Sequence, residues 1–512
     1  MGALEAHGFG AGLGKNGTVA SMSAVDDASL WDRAWNQRWL IAGFIVVLGV
    51  VGALTVSHGI AGDYLWSLAN GKWMLAHGEV MKHDPWSYAL HGGPIIVNEW
   101  GYELALALAV KYLGYGGTLL MTVGVGVAAS MSTVWYARLM GARGGRLVWI
   151  ALFIGLFSMG FIGQGRALGL SLVFLPIELG LLALGREKSV WRWALLPLFV
   201  VWTNVHGSVL LGIGILGLEF LLALAPSDKF SWLMNRSSDP LAIVWVGIAS
   251  VAACCVSPWG PGILLKDLYV TTSPQISGLI SEWLSPDFRD PFLLLAVLAA
   301  VGALAWSAYR RKVSALELVL ALVLLVMTLR AVRFLAYLNV ATVGLIASEA
   351  RKFIPDDFAR KILVWAGGTA LVVLVWGLAL SPVNGPANET TAPAGSFAYL
   401  SHAAAGRVFS PPDWGGYSIA HGFGTYMDGR TDLFTSNGVA KQAISAIRLS
   451  ANPEPFFAKE HIRYVVAQRG TPIDTFLETT SGWKLVHRDH YGDVFERLST
   501  SGKSKRSAGA RG

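Results

Sequence analysis

Charge is what this chain lacks: Asp, Glu, Lys and Arg make up 14% of its 512 residues, where soluble domains carry about 25%. With 54% apolar residues, a surface facing water on all sides cannot be assembled, which excludes a soluble globular protein and leaves the bilayer as the solvent. Cysteine is nearly absent. Cys254 and Cys255 are adjacent in an apolar run, so there is no disulfide framework and no C-x-x-C redox or zinc spacing. Also missing are a G-x-x-x-x-G-K-[ST] loop, a G-x-G-x-x-G after a strand and an H-E-x-x-H helix, which removes the glycine-rich phosphate cradles and the common zinc-protease site. The net charge of +7 belongs to cytoplasmic loops of a membrane protein rather than to nucleic-acid binding. No internal repeat and no inverted duplication of the transporter type is visible.

What is present is a series of apolar runs. The first, 39–58, is long enough to cross about 30 Å of hydrocarbon as a helix. Others follow at 115–138, 147–163, 167–185, 193–204, 208–225, 242–256, 291–308, 314–329, 334–349 and 362–380. Together they predict an all-α polytopic membrane protein with about eleven transmembrane helices. Two pairs of runs are separated only by Gln164-Gly165-Arg166 and by Asn204-Val205-His206-Gly207. Each break is either a gap lined by protein or water, or a bend in one long helix. Residues 102–113 are apolar but short, which suits an interfacial helix.

Basic clusters set the orientation. Arg138, Arg143 and Arg146, then Arg186, Lys188 and Arg192, then Arg310, Arg311 and Lys312, then Arg351, Lys352, Arg360 and Lys361 fall on one side of an eleven-span chain. That side is cytoplasmic by the positive-inside rule. The expected organisation is a disordered cytoplasmic start (1–38), a transmembrane domain (39–380) with a large first outer loop (59–101), a small extracytoplasmic α/β domain (381–498) and a disordered basic tail (499–512).

The first outer loop concentrates the chemistry. It reads Gly62-Asp63-Tyr64-Leu65-Trp66, then Lys82-His83-Asp84-Pro85-Trp86-Ser87-Tyr88, then Asn98-Glu99-Trp100. Carboxylates beside aromatic rings suit a sugar, because carboxylates bind or deprotonate hydroxyls and flat rings stack on pyranoses. The plainer reading of Asp63 is a helix N-cap before Tyr64. If a divalent metal binds, Asp63, His83 and Asp84 are its donors here.

Three arginines sit on the outer side, where the positive-inside rule gives them no reason to be: Arg166 in the first break, and Arg330 and Arg333, three apart and so on one helix face. Their planar forks suit a phosphate, against the alternative of headgroup snorkelling. His206, in the second break, is either a hydrogen-bonded structural residue or a proton-transfer group. Ser281-Glu282-Trp283 repeats the acid-next-to-Trp pattern, with Lys266 and Asp267 upstream, and suits the other wall of the same cavity. Outside the membrane, where nucleotide sugars are not available, an activated donor has to be lipid-linked.

These residues resemble the GT-C superfamily of polytopic glycosyltransferases, which includes the protein O-mannosyltransferases and the lipid A aminoarabinose transferase. The likeness is nearest to a widespread group of bacterial membrane proteins, and runs from about residue 40 to 497 through Asp63 to Trp66, Asp84 to Tyr88, Glu99-Trp100, Asn204 to Gly207, Glu282 to Pro286, Arg330 to Arg333, Asp413 to Tyr417 and Asp428 to Asp432. In GT-C families an acid of the first outer loop is catalytic base or metal ligand, and a polyprenyl-phosphate sugar is the donor. The resemblance gives the base role to Asp63, with Asp84 or Glu99 as the second acid. Substrate binding is expected, from the readings above, of Arg166, His206, Glu282, Arg330, Arg333, Trp66 and Trp100. The resemblance also implies a bacterial cytoplasmic membrane, a membrane-lipid environment and a glycan, lipid or protein acceptor. Two departures stand out. Many GT-C enzymes have two adjacent acids where Asp63 lies between Gly62 and Tyr64, and the group's Arg-Pro-Gln is here Gln164-Gly165-Arg166. Asp428-Gly429 reads as a tight turn before it reads as a site. Rival functions are a polysaccharide polymerase or ligase, a transporter or flippase of lipid-linked glycans, and a non-enzymatic envelope assembly subunit. The transporter is disfavoured by the missing repeats and by an expected absence of acids inside the spans.

Overall fold

Backbone in hydrocarbon has to satisfy its own hydrogen bonds, so apolar runs become helices. The computed structural model describes residues 63–142, 165–224, 233–234, 240–310, 313–347, 393–403 and 405–498. Within them the chain forms α1 (Asp63–His77), α2 (Trp100–Leu113), α3 (Tyr115–Leu139), α4 (Leu168–Glu187), α5 (Leu195–Thr203), α6 (Val209–Leu224), α7 (Pro240–Cys254), α8 (Gly262–Thr272), α9 (Pro291–Arg310), α10 (Ala315–Arg330) and α11 (Leu335–Ile346). Three of these, α3, α4 and α9, are long and apolar enough to cross a membrane. Every predicted run inside the described residues is helical. The runs 39–58, 147–163 and 362–380 lie outside them, as do 1–38 and 499–512, so the described residues do not carry the full count of spans.

The second break is a true gap between α5 and α6, and protein groups satisfy it. Asn204 donates from Nδ2 to the carbonyls of Val200 and Val256, 2.8 Å each, and accepts at Oδ1 from Trp100 Nε1 at 2.8 Å. Its own carbonyl accepts from Gly101 N–H at 3.0 Å. At the first break, Gly165 has a positive φ of 64°, which glycine adopts without steric cost. The buried Tyr102 hydroxyl donates to its carbonyl.

The expectation of acid-free spans is wrong. Glu178 in α4, Glu219 in α6 and Glu317 in α10 are all buried. Buried charge is costly unless it is paired, and for Glu219 and Glu317 two arginines that read as cytoplasmic loop residues turn inward to do this, while both Glu178 oxygens lack a hydrogen-bond partner among the described residues. Arg186 Nη1 lies 3.2 Å from Glu317 and its Nε 3.8 Å from Glu219, while Arg192 Nη2 is 3.5 Å from Glu219.

The C-terminal part contains α12 (Ala394–Ser401), β1 (Arg407–Phe409), α13 (Gly415–Ala420), α14 (Val439–Arg448), β2 (Ile462–Gln468), α15 (Pro472–Thr479), β3 (Trp483–Arg488) and β4 (Gly492–Arg497). Its four-stranded sheet has the order β1-β2-β4-β3, with β1 parallel to β2 and the other pairs antiparallel. Successive β2 residues point to opposite faces. Tyr464 and Val466 enter a core shared with α1, α2, α12 and α13, whereas Val465 and Ala467 pack against α14 and α15. Both faces are covered, which explains why the strand reads Tyr-Val-Val-Ala rather than alternating.

The first of those cores joins the C-terminal part to the membrane part: Tyr64, Leu65 and Tyr102 pack with Phe397, Trp414 and Tyr417. The first outer loop adds hydrogen bonds. Tyr88 N–H donates to the Thr425 carbonyl and Thr425 N–H to that of Trp86, both at 3.0 Å. Arg430 closes the contact, with Nη1 2.7 Å from Asp84 Oδ1 and Nη2 2.6 Å from Asp428 Oδ2. All three side chains are buried. Arg430→Met strands two buried carboxylates, which costs on the order of 3–5 kcal/mol. The expected result is a clearly lowered thermal midpoint in detergent; an unchanged midpoint would show that the clamp does not hold the two parts together.

Candidate active site

Asp63 opens α1, and its carboxylate faces inward. Oδ2 lies 3.0 Å from Arg166 Nη2, and Oδ1 accepts from Trp66 Nε1 at 3.2 Å. The other arm of Arg166, Nη1, pairs with Glu282 Oε1 in the connection between α8 and α9. One guanidinium thus links the first outer loop to a loop much later in the chain, through the fork geometry that suits carboxylates.

Glu99 and His206 meet behind this bridge, with His206 Nε2 3.5 Å from Glu99 Oε1. The Ser208 N–H donates to His206 Nδ1 at 3.1 Å. That nitrogen is therefore the acceptor, and the neutral ring carries its proton on Nε2, toward Glu99. Burial pushes the Glu99 carboxyl up to about 7, against the pull of the Arg166 cation. The side chain keeps 23% of its surface open to the cavity, so water moderates the effect.

These groups line a cavity of about 850 Å³. Arg333 also lines it, stacked over the Trp283 ring with its guanidinium carbon 4.4 Å from the ring centroid. Among the described residues Arg333 has no carboxylate within ion-pair distance, unlike Arg166. A cation held over an aromatic face and not neutralised by an acid is suited to an incoming anion. From there the cavity runs along α6 and α10, past Leu211, Leu218, Leu221, Leu320 and Val323. Gly214 and Gly217 add space on that wall, since a methyl group built on either meets nothing within 4 Å.

The C-terminal part roofs the cavity. A methyl group on Gly429 would lie 2.6 Å from Asp63 Oδ1, so only glycine fits against the carboxylate. Lys266 Nζ reaches Asp432 Oδ2 at 2.9 Å, and Asn98 Nδ2 donates to Asp267 Oδ1 at 3.1 Å. Gly207 is needed beside that acid, because a methyl group there would sit 2.5 Å from Asp267 Oδ1.

Of the expected site residues, Asp63, Trp66, Glu99, Arg166, His206 and Arg333 line one cavity, and Glu282 joins them through Arg166. Asp84 does not reach it: the carboxylate is buried under Arg430 and accepts from Ser87 N–H at 2.9 Å. Trp100 spends its N–H on Asn204, and Arg330 is exposed at the end of α10, off the cavity wall. Glu103 was not anticipated. It is buried on the wall and accepts from Asn70 Nδ2 at 3.1 Å, but α2 reads as an apolar helix and gave no local signal. Gly429 and Asp432 belong to a segment read first as a turn.

Asp63, His83 and Asp84 are not gathered into a metal site. Among the described residues no group of three or more His, Cys, Asp or Glu is placed to hold an ion. One carboxylate oxygen of Asp63 and one of Glu282 face Arg166, and the other Asp63 oxygen accepts from Trp66 Nε1.

No protein-family model and no curated protein matches the chain. Solved structures do match. Over 85% of this chain and 70% of the other, the fold is similar to that of the oligosaccharyltransferase AglB from Archaeoglobus fulgidus in complex with an inhibitory peptide and a dolichol-phosphate, with TM-score 0.54 and 13% identity. A complex of the Archaeoglobus fulgidus oligosaccharyltransferase with Zn and sulfate matches over 83% and 68%, with TM-score 0.51 and 12% identity. ArnT from Cupriavidus metallidurans in the apo state matches over 90% and 98%, with TM-score 0.53 and 13% identity. The chain thus shares its fold with an oligosaccharyltransferase and with ArnT.

Glu99 makes the fold sensitive to pH. Its carboxyl is raised from an ordinary 4.5 to about 7, so in that window the folded chain holds a proton that the unfolded chain releases. Its stabilising contribution is complete below the lower value and lost as pH rises through the upper one. Glu99→Gln should therefore flatten the fall of the thermal midpoint across this window, measured in detergent at several pH values. Parallel profiles for variant and parent would contradict the assignment.

Proposed function

We propose that this chain is a glycosyltransferase of the bacterial cytoplasmic membrane, moving a sugar from a polyprenyl-phosphate donor to an acceptor on the outer side. The observation that carries the reading is a single cavity that joins the Asp63 carboxylate, the acid-free cation Arg333 and a long apolar wall. The polyprenyl chain lies along α6 and α10, its phosphate meets Arg333, and the sugar stacks near Trp66 and Trp283 beneath the Gly429 roof.

In the reaction the acceptor hydroxyl oxygen attacks the anomeric carbon. The bond from that carbon to the phosphate oxygen breaks, and its electron pair leaves with the polyprenyl phosphate toward Arg333. Asp63 takes the hydroxyl proton. Both of its oxygens already accept one interaction, but each keeps a further lone pair. A single displacement of this kind inverts the anomeric centre.

The fold shared with AglB, solved with a dolichol-phosphate, and with ArnT supports this kind of reaction. A polymerase or ligase would use the same site with a longer acceptor, and product mass separates these cases.

Two variants test the reading. In native mass spectrometry of the gently purified protein, a polyprenyl phosphate or its sugar should remain bound to the parent and be lost from Arg333→Ala. Asp63→Asn should keep the lipid and lower transfer by about 10²–10⁴-fold. Lipid occupancy indifferent to Arg333, or normal glycan output without the Asp63 carboxylate, would overturn it.

A further inference from the structure

We propose that Arg166 is a built-in cation that takes the place of the divalent ion implied by the GT-C resemblance, so that this site works without a metal. The inference rests on the glycosyltransferase reading for its activity measurements, while its binding measurement stands alone.

The donor set carries the argument. A divalent metal in a carboxylate site needs several oxygens converging on one point, about six for the hard cations. Here the two acids that face each other across the outer loops, Asp63 and Glu282, converge on a guanidinium. Asp63 Oδ2 is 3.0 Å from Nη2, and Glu282 Oε1 pairs with Nη1. The other Asp63 oxygen accepts from Trp66 Nε1. His83 and Asp84 add nothing, since Asp84 is held under Arg430. Among the described residues no alternative cluster of three acidic, His or Cys side chains exists.

Arg166 is also fixed by the chain around it. Gly165 adopts a left-handed φ of 64°, and the buried Tyr102 hydroxyl ties down its carbonyl. A guanidinium is planar and permanently charged, and it bridges two carboxylates with two parallel donors. It thereby delivers what an ion would supply to Asp63, charge compensation and a fixed orientation, at a position set by the backbone. Arg166 is in this sense a positioning residue: it acts through Asp63, while Arg333 meets the donor anion.

The experiment uses the full-length protein in lipid nanodiscs. After dialysis against EDTA it is titrated with Mn²⁺ and followed by electron paramagnetic resonance, and transfer is assayed with EDTA and with added Mn²⁺. The parent should show no stoichiometric Mn²⁺ binding at micromolar concentration, and transfer should be indifferent to the chelator. Arg166→Ala should lose about 100-fold in transfer, the scale of a misplaced reacting group. Added guanidinium ion should restore part of that loss and Mn²⁺ should not. Stoichiometric Mn²⁺ binding that Asp63→Asn removes, or transfer lost in EDTA and regained with Mn²⁺, overturns the inference. So does rescue of the variant by Mn²⁺ alone, or by neither ion. If Arg166→Ala does not fold, the titration of the parent decides. A parent that transfers nothing defeats the glycosyltransferase reading, and the titration still separates a metal site from an arginine site.

Discussion

The site depends on one buried interaction, the clamp of Arg430 on Asp84 and Asp428. It ties the loop between α1 and α2 to a segment 346 residues away, and in doing so it lays Gly429 against the Asp63 carboxylate. Burying three charges is costly, and the cost is met only because the geometry uses nearly every donor. Arg430 contributes Nε, Nη1, Nη2 and its own backbone N–H to the two acids. The remaining Asp84 oxygen accepts from Ser87. A turn that would otherwise sit on the surface becomes part of the wall against the Asp63 acid, whose side chain stays 30% exposed.

The arginines divide their work by what surrounds them. Arg430 is saturated by two carboxylates and is structural. Arg166 is bridged by two acids at the cavity wall and orients one of them. Arg333 has an aromatic ring beneath it and no ion pair among the described residues. Arg186 and Arg192 lie between membrane helices and neutralise Glu219 and Glu317. Arg430, Arg166 and Arg186 each pair with two carboxylates and differ in where those acids sit, whereas Arg333 pairs with none among the described residues. Of the three arginines that the sequence offers for a phosphate, Arg166 is already paired twice and Arg330 lies off the cavity wall, so the proposed donor site uses Arg333.

Much of the fold was legible because helices in lipid declare themselves by length and apolarity, and the two breaks declared themselves by their polar residues. Asp63, Glu99, Arg166, His206 and Glu282 were legible for a related reason, since charge is rare in such a chain and each instance stands out. What stayed hidden depends on tertiary contact. Asp84 looked as good an acid as Asp63, and only the Arg430 partner shows that it is spent on structure. The glutamates at 178, 219 and 317 stayed hidden because single acids vanish into strongly apolar helices, and the partners of Glu219 and Glu317 are residues that also satisfy the positive-inside rule. Gly429 carried a turn signal, but nothing local could say which carboxylate the turn would press against.

The wall formed by α6 and α10 has a kinetic consequence. Leu221 lines the cavity and yet is 64% exposed. Under the glycosyltransferase reading proposed above, a long-chain donor reaches the cavity past this residue by diffusing within the plane of the bilayer. The quantity that fills the site is then the mole fraction of that lipid in the membrane, and a thin leaflet can saturate the protein with an amount that would be negligible dissolved in the same volume of cell.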